Sequence, residues 1–176
     1  LVFALVMAVA SVTLAEGLKV GYAKEDITPP LGVYMPGYFL DRYAKEILDP
    51  LSVVCLAFSD GKETALIMQF DTEGLSNTVA DDMRTVVAKA TGLSRDAILL
   101  HASHTHDGGH LALKPPEEED HTRGELEKLY VAMCNTRAAD AAVNAIRDLK
   151  PAKLSCGRSV AKRISFGRRY VMKNGK

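Results

Sequence analysis

Residues 76–106 read SNTVADDMRTVVAKATGLSRDAILLHASHTH. Val79, Met83, Val86, Val87 and Ala90 recur at helical spacing, with Ser76 before them and Gly92 after. A serine hydroxyl at that place accepts from a free N–H of the first turn, and glycine adopts the left-handed conformation that closes a helix. The short apolar run Ala97–Ala102 then predicts a strand. So a capped helix hands the chain to a strand, and the strand delivers it into a group of histidines.

Working outward, Leu51–Phe58 and Glu63–Phe70 are apolar runs separated by Ser59-Asp60-Gly61-Lys62. An Asp-Gly turn between such runs predicts a hairpin. Leu18–Ala23 predicts an earlier strand, followed by Asp26-Ile27-Thr28-Pro29-Pro30-Leu31-Gly32. Two prolines remove donors and fix φ there, which predicts a rigid, extended loop that continues through Met35-Pro36-Gly37-Tyr38. Asp26 in this loop has a structural expectation, because Asp favours local backbone hydrogen bonds in turns. Downstream, Leu126, Leu129, Tyr130, Met133, Ala141, Ala145, Ile146 and Leu149 predict a long helix over about Arg123–Leu149, ended by Pro151. Ala152–Gly157 and Ile164–Met172 predict further strands. The fold class expected is α/β, a mixed sheet flanked by helices.

The 176 residues suffice for one domain of ordinary size. Lys plus Arg is 22 and Asp plus Glu is 22, a balance without the basic excess that marks nucleic-acid binding. The acidic run Glu117–Asp120 is expected to be a solvated loop. Residues 1–15, LVFALVMAVASVTLA, carry no charge. They are shorter than a membrane span of about 20 apolar residues and match the core of a secretory signal peptide whose basic start is missing. Export to the cell envelope or beyond is therefore expected, with the mature chain starting near Glu16. The start at Leu1 and the strand-and-turn ending at Lys176 lead to the expectation of a fragment that continues downstream. Cys55, Cys134 and Cys156 are widely spaced and odd in number, and the expectation is buried free thiols.

His101, His104, His106 and His110 fall within ten residues, and His121 follows. Neutral imidazole is the commonest protein ligand for zinc, so the crowding points to a metal. Side chains two apart on a strand share a face, so a strand continuing to His106 would aim His104 and His106 at one site. His101 has the opposite parity and is expected to pack in the core. Asp107 offers a carboxylate to bind a metal or orient a histidine, and Gly108-Gly109 would let the backbone turn sharply beside a ligand. The metallo-β-lactamase pattern, His-x-His-x-Asp-His, fails here, because Gly108 and Gly109 occupy two of its ligand positions.

Five segments together resemble the neutral/alkaline, non-lysosomal ceramidase family. They are Val20–Gly32, Asp49-Pro50-Leu51, the strand ending in Asp71, Ile98–His106, and Phe166–Gly175, in the family's order over about residues 18–176. The resemblance implies hydrolysis of the N-acyl amide bond of ceramide-like lipids at a single zinc ion. It implies His104 as a zinc ligand, His106 as a residue meeting substrate or the reacting centre, and Arg168 as an active-site arginine. A second histidine, a glutamate and a tyrosine would complete the zinc site from beyond Lys176, so the isolated fragment is expected to bind zinc weakly and to be inactive. The partner implied is a lipid amide, met at a membrane surface. Asp107 stands where the family has Ser, Gly109 where it has Pro, and Gly167 where it has Asn. Another zinc-dependent amidase or esterase on the same scaffold, and an exported binding domain with a decayed site, are the alternatives.

Overall fold

Val53, Cys55 and Ala57 alternate with less buried neighbours along one strand, and Leu66, Met68 and Phe70 do the same along the next. That period of two is the pattern of a sheet covered on one face. The computed structural model describes residues 17–112, 124–160, 162 and 172–174. By its contacts the chain divides into Ala15–Ala152 and a smaller unit of Leu1–Leu14 with Lys153–Lys176. In the larger unit the elements run β1 (Lys19–Asp26), β2 (Tyr34–Met35), β3 (Arg42–Tyr43), β4 (Ser52–Ser59), β5 (Thr64–Phe70), α1 (Asn77–Thr91), a single 3-10 turn (Arg95–Ala97), β6 (Ile98–Ala102), α2 (Gly124–Arg147) and β7 (Lys150–Pro151). The main sheet has the order β6-β5-β4-β1-β7, while β2 and β3 pair separately. β5 and β6 are parallel and the other pairs antiparallel, so the sheet is mixed, as expected.

The helix between the parallel strands is bounded as its sequence predicts. Ser76 accepts from Val79 N–H, and Gly92, at φ 75°, donates its N–H to Ala88 O. Val79, Met83 and Val87 are buried, whereas Val86 is exposed. In α2 the inward residues include Cys134, Ala138, Ala141, Ala142 and Ala145. Small side chains let this helix lie close to β1, and Gly21 is where it touches. A Cβ on Gly21 would stand 1.9 Å from Ala145 O. The inward faces of β1, β4, β5 and β6 and of both helices form one core, while Tyr22, Ile67 and Leu99 stand exposed. Among the described residues no helix is long and apolar enough to cross a membrane.

Several expectations need correction. β1 runs on to Asp26, because it pairs with β4 as far as Ser52. No strand occupies 152–157: β7 is confined to Lys150–Pro151. It runs antiparallel to β1, and Ala152 N–H already reaches Leu18 O beyond the first residue of that strand, so the chain leaves the sheet there. His101 is exposed, not packed in the core, because Ile98, Leu100 and Ala102 take the inward positions of β6. Cys55 and Cys134 are buried free thiols, pushed up to about 12 by burial and so protonated at neutral pH. Cys156 is free but exposed. The leader over 1–15, the loop Pro115–Asp120, His121 and nearly all of the strand expected over 164–172 lie outside the described residues.

At the exit of β1, Asp26 accepts from Thr28 N–H at 2.7 Å, and Thr28 Oγ1 accepts from Leu51 N–H at 2.9 Å. This local bonding is the structural role expected of Asp26. The Thr28 hydroxyl and N–H hold the Asp26 carboxyl below its ordinary pKa. A carboxyl depressed on folding contributes stability that is present above its unfolded pKa, about 3.9, and lost as pH falls through the folded value. Asp26→Asn is therefore expected to lose stability in the neutral region, where the ionised carboxyl contributes, and to differ least from wild type in strong acid, so that the acid limb of the stability–pH curve flattens; urea unfolding followed by circular dichroism across about pH 2–7 checks it. Gly21→Ala is expected to cost about 3 kcal/mol, the upper end of overpacking costs, in urea unfolding, because backbone and not a pliable side chain blocks the new methyl.

Candidate functional site

The parallel pairing of β5 with β6 sets Phe70 beside Ala102, and both strands end there. Asp71–Leu75 and Ser103–Gly109 therefore leave the sheet as neighbouring loops. Asp71 Oδ2 accepts from Ser52 N–H at 3.0 Å and from Ser52 Oγ at 2.8 Å, which ties the end of β5 to the start of β4. Thr72 is fully buried and donates from Oγ1 to Gly109 O at 2.9 Å. A Cβ on Gly108 would stand 2.7 Å from Asp71 O, and one on Gly109 would stand 2.4 Å from the Tyr130 ring. Neither glycine has a positive φ. The chain bends at 106–108, as expected of this segment, and both glycines also permit close approach to strand and helix. Tyr130 completes the anchor by donating its hydroxyl to Ile27 O at 2.9 Å.

Held at both ends, the loop carries His104 at φ 63°, the one positive φ among the described non-glycine residues. Such a conformation costs of order 1–3 kcal/mol and persists where the surroundings impose it. His104 Nδ1 lies 2.7 Å from Glu73 O. A carbonyl only accepts, so in neutral His104 the proton sits on Nδ1 and the lone pair on Nε2. That is the arrangement of a metal-ligating histidine oriented by a backbone carbonyl. The His106 ring stands 5.0 Å from the His104 ring at 82°. The strand does not continue to His106, because β6 ends at Ala102. The two imidazoles meet through the left-handed turn at His104 and not through strand parity.

The far wall is built by a segment that carries no periodic signal. Gly37, at φ 97°, lies under His106, and a Cβ there would stand 2.5 Å from His106 Nδ1. Tyr38 meets the His106 ring edge-on at 5.8 Å. Arg42 in β3 donates to His106 O, pairs with Asp107 Oδ1 at 3.2 Å, and stacks 3.6 Å over the Tyr38 ring. The Asp107 side chain is 74% exposed, so that ion pair contributes about 0–1 kcal/mol. The part-buried charged bond to His106 O is worth more, about 1.5–3 kcal/mol. Sequence reasoning missed Gly37, Tyr38, Arg42 and Glu73 as site residues; a Pro-Gly dipeptide marks a loop but not what the loop touches. A cavity of about 730 Å³ opens beside these groups, lined among others by Thr28, Arg42, Leu48, Leu51, Thr105 and Asp107.

With this geometry, the arrangement of elements matches two solved structures. The fold is ceramidase-like. The neutral ceramidase from Pseudomonas aeruginosa superposes with a TM-score of 0.59 at 18% identity, over 77% of this chain and 22% of that one. A ceramidase complexed with C2 gives a TM-score of 0.60 with the same identity and coverage, 18%, 77% and 22%. The chain thus spans about a fifth of the length of those proteins, 22%. No protein-family profile and no curated protein matches it.

Of the residues singled out in the sequence, the structure brings His104 and His106 together. His110 turns away to pack edge-on against Tyr34, 5.6 Å between ring centroids. Asp107 is engaged by Arg42. Arg168 lies outside the described residues. Among the described residues no three His, Cys, Asp or Glu gather at metal-binding distance. His104 thus fits one ligand position of a metal site, and the described residues do not make up a full set. Gly37→Ala is expected to displace the His106 ring while the sheet remains folded. Imidazole nitrogen–proton NMR spectra should show the His106 signals moved and those of exposed His101 in place; unmoved His106 signals would contradict the contact.

Proposed function

We propose that this chain is the histidine-bearing part of a zinc-dependent hydrolase that cleaves the N-acyl amide bond of ceramide-like lipids. The observation that carries the reading is His104. Its left-handed backbone and its Nδ1 bond to Glu73 O present Nε2 beside a second imidazole, in a fold that is ceramidase-like. Zinc, when bound, supplies Lewis-acid polarisation of a carbonyl and a water whose pKa falls to about 7. A catalytic zinc takes about three protein ligands and keeps one position open, so His104 needs partners. They are proposed to come from a longer form of this protein, as a second histidine, a glutamate and a tyrosine.

The chain's own residues have distinct roles in this reading. Glu73 O fixes the His104 tautomer and ring direction. His106, held between Gly37, Tyr38 and His104, is placed to exchange a proton or hydrogen bond with the reacting amide. Leu48 and Leu51 offer apolar surface to a lipid chain in the adjoining cavity. Arg168 is proposed as a further active-site residue on the strength of the sequence resemblance. Export through the 1–15 leader would bring the enzyme to lipid outside the cytoplasm. One feature favours a second reading, a related amide or ester as substrate: the cavity is lined by the charged Arg42 and Asp107.

The test is zinc content and amide hydrolysis of the longest natural form, with ceramide and a panel of acyl amides and esters as substrates. His104→Ala is expected to lose both zinc and activity. His106→Ala is expected to retain zinc and lose activity about a hundredfold, in the range of a lost proton-transfer group. Hydrolysis that survives metal chelation, or a His104→Ala protein with undiminished zinc and turnover, would overturn the reading. So would full activity of residues 1–176 alone.

A further inference from the structure

Arg42 belongs to neither the histidine loop nor the main sheet, yet it touches the histidine loop twice. Its two Nη atoms reach His106 O and Asp107 Oδ1, and its plane covers Tyr38, whose ring meets His106. Gly32 N–H donates to Ala44 O and Ala44 N–H donates to Val33 O, so the β2–β3 hairpin that carries Arg42 is fastened at its base. Arg42 Nε is buried and has no hydrogen-bond partner among the described residues. A buried unpaired donor costs about 1–3 kcal/mol, which offsets much of what the bond to His106 O contributes. What the arginine does accomplish is geometric. It closes a ring of contacts from Arg42 to the His106 backbone, through the His106 ring to Tyr38, and back to the guanidinium.

We propose that Arg42 is a positioning residue of the histidine site: it holds His106 against His104 by bonding the His106 carbonyl and bracing Tyr38. The proposal rests on the hydrolase reading for its catalytic consequence, and on the geometry alone for its structural one. Lysine has no planar fork and cannot make both Nη contacts while stacking on Tyr38. Asp107 is the lesser contact, since the bond to His106 O and the stacking on Tyr38 remain without it.

The experiment compares the wild-type protein with Arg42→Ala, Arg42→Lys and Asp107→Asn. Arg42→Ala is expected to lower kcat by about tenfold to a hundredfold, the cost of a misplaced reacting group, with KM changed by less than about twofold. Millimolar guanidinium should restore much of that loss, because the cavity beside Arg42 gives it access to the vacated position. Arg42→Lys should fall between wild type and Arg42→Ala, and Asp107→Asn should leave the His106 imidazole signals close to those of wild type. In metal-free, substrate-free protein, the His106 imidazole NMR signals should shift in Arg42→Ala and return with guanidinium, with His101 unmoved throughout. If Arg42→Ala does not fold, Arg42→Lys carries the same comparison. A kcat within about twofold of wild type would overturn the proposal, as would a loss confined to KM, which marks a substrate contact. Unshifted His106 signals would do the same. If the wild-type protein hydrolyses no amide, the functional reading fails and the ring signals still decide the role of Arg42.

Discussion

Tyr130 reaches from the second turn of α2 to donate its hydroxyl to Ile27 O, and Gly109 lies close against its ring. Three segments distant in sequence meet at this one side chain: the exit of β1, the long helix, and the loop that carries the histidines. Burial pushes the Tyr130 hydroxyl far above its ordinary pKa, so it remains a donor at any physiological pH. A buried donor and acceptor that satisfy each other are stabilising, while leaving either one alone costs about 1–3 kcal/mol. The position of the histidine loop over the sheet edge therefore depends on α2 docking where it does.

That docking depends in turn on small residues. Ala138, Ala141, Ala142 and Ala145 line the buried face of α2, and Gly21 offers no side chain to hold the helix away from β1. Alanine keeps good helix propensity while removing bulk, so the same residues that favour the helix also allow its close approach. The described helices pack on one face of the sheet. The opposite face shows Tyr22, Ile67 and Leu99.

The histidine pair is over-determined from two sides. From the sheet side, Glu73 O, Thr72 Oγ1 and the packing of Gly108 on Asp71 hold the loop. From the other side, Gly37, Tyr38 and Arg42 bear on His106 and on the backbone after it. A non-glycine residue at φ 63° survives where such contacts leave the backbone no cheaper course. The result is two imidazoles at right angles with one tautomer assigned by its carbonyl partner, beside a cavity that mixes apolar and charged walls.

Local chemistry made much of the scaffold legible in advance. A capping serine and a closing glycine bound α1 because each satisfies or permits a particular backbone group, and those groups are near in sequence. The hairpin of β4 and β5 and the strand before the histidines follow from apolar patterning in the same way. The nearness of His104 and His106 was also expected from the sequence, as a crowd of imidazoles after a strand. The sequence by itself thus determined the main elements, the mixed sheet and the candidate residues. The route by which the two rings meet was decided elsewhere. Strand parity would have paired them along an extended backbone; the tertiary structure pairs them through a left-handed turn braced by Glu73 O, Gly37 and Arg42. It also turned His101 outward and sent His110 to Tyr34. These outcomes rest on contacts between segments 31 to 103 residues apart in sequence, such as Glu73 with His104, Arg42 with Asp107, and Ile27 with Tyr130. Periodicity and capping report on neighbours within a few positions, so they carry no signal for such contacts; only the packed chain brings them together.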